Sequence, residues 1–308
     1  MMPSIRSGVY PTMITPYTQD NRIDQDAVDS LVAYYTESGC DGIFALCLSS
    51  EIFHLTEDEK RLLLKRVVSA NAGRLQIVAS GHTADDLPGQ IRQLAMAAEE
   101  GADASVIILN RTAAQGEDED VCRRHIEALL QALPDVRFGI YESPYPYKRV
   151  ASPDLMRWCA ETGRIVFLKD TCCDIVQLKA KQAAVAGTQL KIYNANTATL
   201  LASMRLGIAG YSGVMANFHA DLYTRLISLH RNNDSAADKL QAFLTVAAWA
   251  EYQLYPVNAK AYRAMLGMDI GITSRTKDAD QWTGTFESEL RQLHLVEQEV
   301  RALLGGTP

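Results

Sequence analysis

Short apolar runs alternate along the chain with stretches whose apolar residues recur every three or four positions. The runs read as eight strands: "GVYPTMIT", "DGIFALCL", "LQIVAS", "DASVIIL", "VRFGIY", "RIVFLK", "LKIYN" and "GIAGYSG". Amphipathic helices fill the gaps, with start and stop signals. Asp24 opens one that buries Val28, Leu31, Val32 and Tyr35, and Gly39 closes it. Thr56 and Glu59 form a capping box, Ser152-Pro153 an N-cap with a first-turn proline, and Asp174 with Gln177 another cap.

Eight strand–helix units match a closed (β/α)8 TIM barrel, an α/β fold. The continuously apolar strands suit a parallel sheet covered on both faces. A doubly wound open sheet also alternates, but no glycine-rich fingerprint follows the first strand. After Asn233 the pattern turns wholly helical, and Leu293, Val296, Val300 and Leu303 are expected to form one buried stripe. The expected organisation is a barrel over residues 1–232 and a C-terminal helical extension over 233–308.

Composition agrees with a large globular core: 308 residues, 47% hydrophobic and 22% charged. A net charge of -7 gives no footprint for nucleic acid or anionic membrane. No segment reaches the roughly 20 apolar residues of a membrane span, and "MMPSIRSGVYPT" lacks a signal-peptide core. A cytoplasmic protein with its six cysteines reduced is expected. The six histidines show no metal-ligand spacing, and Cys172-Cys173 alone makes neither a zinc site nor an unstrained disulfide. No metal or cofactor is expected.

One cation is out of place. Lys169 ends the apolar run "RIVFLK", and strand alternation gives it the same face as Ile165 and Phe167. At the C-terminal end of a barrel strand it sits where barrels keep their chemistry. An ordinary lysine is neutral less than about once in a thousand at pH 7. Burial lowers that pKa by up to about 3–5 units, which would free the amine to form a Schiff base with a carbonyl. The competing reading is a structural ion pair with Asp170 or Glu142. Tyr141 ends the preceding strand at equal height, as a proton relay or as core packing. Leu48, Ser49 and Ser50 lie at the rim of the second predicted strand, where hydroxyls and free N–H groups bind a carboxylate or merely cap the loop. Arg111, Lys148 and Arg149 are candidates for a second carboxylate, or solvated surface. Tyr145 and Tyr147 either cover a substrate tail or pack their loop. Asn196, Ser212 and Asn217 fall near the barrel top, and Gly207, Gly210 and Gly213 suit a phosphate site or a pocket wall.

These segments, taken in order, resemble the dihydrodipicolinate synthase and N-acetylneuraminate lyase family of class I aldolases. The resemblance runs from "GVYPTMITPYTQDNRID" through "GCDGIFALCLSSEIFHLTEDEK", "SGHTADD", "GADASVIIL", "IYESP" and "FLKD" to "LGIAGYSGVMAN". It implies a barrel with a helical extension, a homo-oligomer (tetramer or dimer), and a Schiff base between Lys169 and pyruvate or another 2-oxo acid. Tyr141 stands at the family's relay tyrosine and Ser49 at a carboxylate-binding hydroxyl. Three positions depart: Leu48 replaces a relay hydroxyl, the cross-subunit tyrosine is missing from "IILNRTAAQGE", and Pro146 stands where the synthase has an arginine. The expected function is a Schiff-base lyase, aldolase or dehydratase, that is not the synthase itself. The alternative is a catalytically reduced member that binds a keto acid as a sensor.

Overall fold

The computed structural model describes residues 4–305. Seven strands form one parallel sheet in sequential order. They are β1 (Gly42–Ala45), β2 (Gln76–Ala79), β3 (Ala104–Ile108), β4 (Phe138–Tyr141), β5 (Ile165–Asp170), β6 (Lys191–Asn194) and β7 (Gly210–Tyr211). The helices of the barrel are α1 (Gln25–Glu37), α2 (Glu57–Asn71), α3 (Leu87–Glu99), α4 (Glu119–Ala132), α5 (Pro153–Glu161), α6 (Ile175–Ala184), α7 (Leu200–Arg205) and α8 (Ala216–Arg231). Beyond them come α9 (Ala236–Ala247), α10 (Val257–Met265) and α11 (Gly284–Leu303).

The first predicted strand, residues 8–15, is not a regular strand, yet it closes the ring. Val9 bridges Tyr211 and Thr12 bridges Phe44, both in parallel sense. Tyr10 N–H donates to the Tyr211 carbonyl at 2.9 Å, and Met13 N–H to the Phe44 carbonyl at 3.0 Å. Pro11 interrupts the ladder because it has no N–H to donate. Closure also explains Gly210: a Cβ there would lie 1.8 Å from the Gly8 carbonyl oxygen. That glycine serves the seam between the ends of the sheet.

The expected caps form. Asp24 accepts from Ala27 N–H, Ser152 from Leu155 N–H, and Thr56 and Glu59 complete their box. The apolar stripe expected on α11 is corrected in part. Leu293 and Val300 pack against the core, but Val296 and Leu303 are exposed, and the fully buried residues are Leu290 and Glu297. Glu297 is tolerated inside because Tyr262 and Arg301 hydrogen-bond its carboxylate.

Aromatic rings fill the barrel beneath its C-terminal rim. Phe167 stacks on Tyr193 with centroids 4.6 Å apart, and Tyr10 and Phe44 pack against the same ring. This layer is the low-dielectric floor of the cavity above. No described helix is long and apolar enough to cross a membrane.

Candidate active site

Lys169 and Tyr141 are register partners on β5 and β4. Alternation puts Phe167 and Lys169 on the inner face, one residue pair above the aromatic floor. Lys169 is 4% exposed, and its Nζ lies 4.5 Å from the Tyr141 ring centroid and 5.7 Å from that of Phe44. Among the described residues no carboxylate pairs with it. Burial lowers its pKa from 10.5 to about 8, with Cys47 and Glu251 opposing weakly. Roughly one amine in ten is then neutral at pH 7. Burial likewise pushes the Tyr141 phenol well above its ordinary value, so it stays protonated.

The carboxylates that sequence reasoning offered as partners are taken by another lysine. Lys181, on α6, donates to Glu142 at 2.6 Å and to Asp170. Glu142 also accepts from Ala151 N–H at 2.9 Å and Thr171 N–H at 2.8 Å. Asp170 points outward by strand alternation, toward the helix layer. All three groups are buried.

Lys169 and Tyr141 line a cavity of about 550 Å³ with Leu48, Ser49, Tyr145 and Glu251 among others. Ser49 Oγ donates to Thr12 Oγ1 at 3.2 Å. Ser50 is used structurally: its hydroxyl donates to the Met13 carbonyl at 2.6 Å. The loop between them and α2 bends sharply, with Glu51 at φ 60°. Glu51 holds that left-handed conformation by accepting from Lys260 at 3.0 Å, Ser274 Oγ at 2.8 Å and Arg275 N–H at 2.6 Å.

Other expected residues fall elsewhere. Arg111 turns to the Thr83 carbonyl at 2.8 Å and to Asp85, away from the cavity. Arg149 donates to the Ala114 and Glu117 carbonyls. Tyr145 lines the cavity, packed edge-on against Phe53 at 4.9 Å, whereas Tyr147 caps the Ala113 carbonyl. Asn196 caps its own loop through Thr199 N–H at 3.0 Å. Ser212 is buried beside the cavity residue Gly213, and its N–H donates to the Asn194 carbonyl. Asn217 lies below the rim and donates to Tyr255 Oη at 3.1 Å.

Sequence reasoning missed Tyr255 and Glu251. Both come from the C-terminal extension, and both line the cavity. The Tyr255 phenol is hydrogen-bonded toward Ser49 and Thr12, and burial holds it well above its ordinary pKa. The nearest sequence signal is the polar insertion "EYQLYPVN" between helical patterns. Among the described residues no cluster of groups suits a metal ion.

A parallel barrel whose C-terminal rim holds a buried lysine, unpaired among the described residues, beside a tyrosine has the placement of a TIM-barrel active site. The profile of the dihydrodipicolinate synthetase family matches residues 6–277, and the chain belongs to that family of aldolase-type lyases. It is 27% identical to the 4-hydroxy-tetrahydrodipicolinate synthase of Mycolicibacterium paratuberculosis over 271 residues, 87% of this chain and 88% of the other. It is 27% identical to the N-acetylneuraminate lyase of Rhizobium meliloti over 219 residues, 71% of each. Among solved structures, the dihydrodipicolinate synthase of Bacillus anthracis superposes with a TM-score of 0.85 at 21% identity, covering 95% of this chain and 98% of that one.

Proposed function

We propose that the protein is a Schiff-base lyase acting on pyruvate or a related 2-oxo acid, and that it is not the synthase. The observation that carries this reading is Lys169: a buried amine, unpaired among the described residues, with its pKa near 8 and Tyr141 beside it. Its neutral form attacks the C2 carbonyl. The carbinolamine nitrogen loses a proton and its oxygen gains it; a second proton, drawn from solvent, then reaches that oxygen, and water leaves to give the iminium. Tyr141, protonated and adjacent, relays these protons. The iminium then draws electrons from C3, which serves carbon–carbon cleavage and dehydration alike.

Ser49 binds the keto-acid carboxylate, together with the leading N–H groups of the turn Leu48–Ser50, which have no partner within that turn. Leu48 supports the judgement against the synthase, because an isobutyl group relays no proton and faces the cavity. Arg111, Asn196 and Ser212 drop out of the substrate shell in this reading. A homo-oligomer, dimer or tetramer, belongs to the same proposal, and sedimentation velocity tests it.

The decisive test is trapping. The protein is incubated with pyruvate and a panel of 2-oxo acids, reduced with borohydride, and weighed intact. One adduct per chain, mapped to Lys169, is expected. No adduct with any 2-oxo acid overturns the proposal.

A further inference from the structure

We propose that Glu251 is the base that takes the C4 hydroxyl proton when the Lys169 adduct of a 4-hydroxy-2-oxo acid breaks between C3 and C4. This rests on the Schiff-base reading above and names the substrate class that the site would cleave.

Two carboxyl side chains line the cavity, Glu51 and Glu251. Glu51 is saturated: Lys260, Ser274, Arg275 and Thr276 all donate to it. Glu251 is different. It lies on the turn Ala248–Tyr252, is partly buried, and among the described residues has no cation paired with it. Burial raises its pKa, and the neighbouring Tyr252 side chain opposes that shift. Glu251 is close enough to Lys169 for each charge to stabilise the other. The extension thus delivers a free carboxylate into the chamber that holds the amine.

Its charge orients the substrate. A 2-oxo acid carboxylate is repelled by Glu251 and attracted by the hydroxyl and N–H groups at Ser49. With the carboxylate at Ser49 and C2 on Lys169, the remaining substituents on C3 and C4 point to the rest of the chamber, where Glu251 stands. Tyr141 and Tyr255 are poor bases there, since both phenols are held protonated by burial. His54 is the other candidate; it is exposed at the rim.

In the step, the Glu251 carboxylate takes the proton from the C4 oxygen. The O–H electron pair becomes the carbonyl of the departing aldehyde. The C3–C4 pair becomes the C2=C3 bond of an enamine, and the C=N pair returns to the Lys169 nitrogen. Enamine C3 then takes a proton from water, Glu251 releases its own to water, and hydrolysis of the iminium frees pyruvate and Lys169.

The experiment compares wild type, Glu251→Gln and His54→Gln. Cleavage of 4-hydroxy-2-oxopentanoate and 4-hydroxy-2-oxo-4-phenylbutanoate is followed by pyruvate release, and pyruvate trapping at Lys169 is measured in parallel. The expected result is an E251Q rate lower by about 10²–10⁴-fold, with trapping within about twofold of wild type and H54Q little changed. E251Q turnover within about threefold of wild type overturns the assignment. So does equal loss of trapping and cleavage, which would place Glu251 in imine formation or in folding. A wild type that traps pyruvate yet cleaves neither probe also overturns it. A wild type that fails to trap pyruvate or any other 2-oxo acid refutes the Lys169 reading instead.

Discussion

Lys181 Nζ sits 2.6 Å from Glu142 Oε1, in the helix layer on the other side of the strands from Lys169, which has no carboxylate paired with it among the described residues. Two lysines, twelve positions apart, share one neighbourhood and take opposite states. Lys181 is locked among anions in the helix layer, and Lys169 is left alone above the aromatic floor. Replacing Lys181 with Met would strand Glu142 and Asp170 as buried, uncompensated charges. Breaking a buried pair from one side costs about 3–5 kcal/mol, so urea melts should show a deficit of that size. Glu142 already has its pKa raised by burial and by Asp170. A raised carboxylate is relieved as pH falls through its folded pKa, so the deficit relative to wild type should shrink toward acid pH.

Lys169→Met should abolish trapping and stabilise the fold. With a folded pKa near 8 against 10.5 unfolded, burial of this lysine costs roughly 3 kcal/mol below pH 8. Here the unfolded chain binds more protons between those values, so the cost fades as pH rises from 8 toward 10.5. A K169M melt at pH 7 should therefore exceed wild type, and the gain should diminish at pH 10. In wild type the trapping rate should climb through pH 8 and level above it, following the neutral amine.

What was legible in the sequence was local. Caps at Asp24, Thr56, Ser152 and Asp174 are set by neighbouring residues, and all four form. Lys169 and Tyr141 could be paired because strand ends share a height in a parallel barrel. The misses are matters of tertiary competition. Arg111 was free in sequence but is claimed by Asp85 and a carbonyl of the neighbouring loop. Half of the α11 stripe, Val296 and Leu303, turns outward, while Glu297 goes inside because it finds partners on α10 and on its own helix. Tyr255 and Glu251 were invisible because nothing local says where the chain returns after α9.

Glu51→Gln should loosen the strap over residues 273–277. The Glu51 carboxylate joins Lys260 to Ser274, Arg275 and Thr276, across a separation of 209 residues for the lysine. The amide leaves the Lys260 ammonium buried without an anion, and a loss of about 3–5 kcal/mol follows. Hydrogen exchange should rise at residues 273–277 and at the Leu48–Ser50 turn, while α4 on the far side keeps its protection.

Tyr255→Phe tests the hydroxyl set at the keto-acid end. The phenol oxygen accepts from Asn217 Nδ2 at 3.1 Å, and that amide also donates to the Thr12 carbonyl at 2.9 Å. Asn217 thus keeps a partner, and stability should fall by no more than about 1 kcal/mol. The pyruvate concentration for half-maximal trapping should rise several-fold. Ser49→Ala should act similarly, and the double variant should lose less than the sum, because the two hydroxyls share one network.

The cavity wall predicts which aldehydes the lyase accepts. Leu48, Phe53, Pro144, Tyr145 and Val214 line it, and the arginines that would recognise a second carboxylate are turned away. Lys277 reaches the cavity only from the exposed rim, where water and salt weaken its field. An anionic tail would meet Glu251 in a chamber where, among the described residues, no buried guanidinium offsets it, whereas a phenyl group would gain the face of Phe53 and Tyr145. Fully burying an aromatic side chain is worth about 1.5–3 kcal/mol, or roughly ten- to a hundred-fold in kcat/KM. Condensation of pyruvate with benzaldehyde should therefore outpace condensation with glyoxylate. Phe53→Ala should erase most of that preference and leave pyruvate trapping intact, and a wild-type preference for glyoxylate would refute the apolar-tail reading.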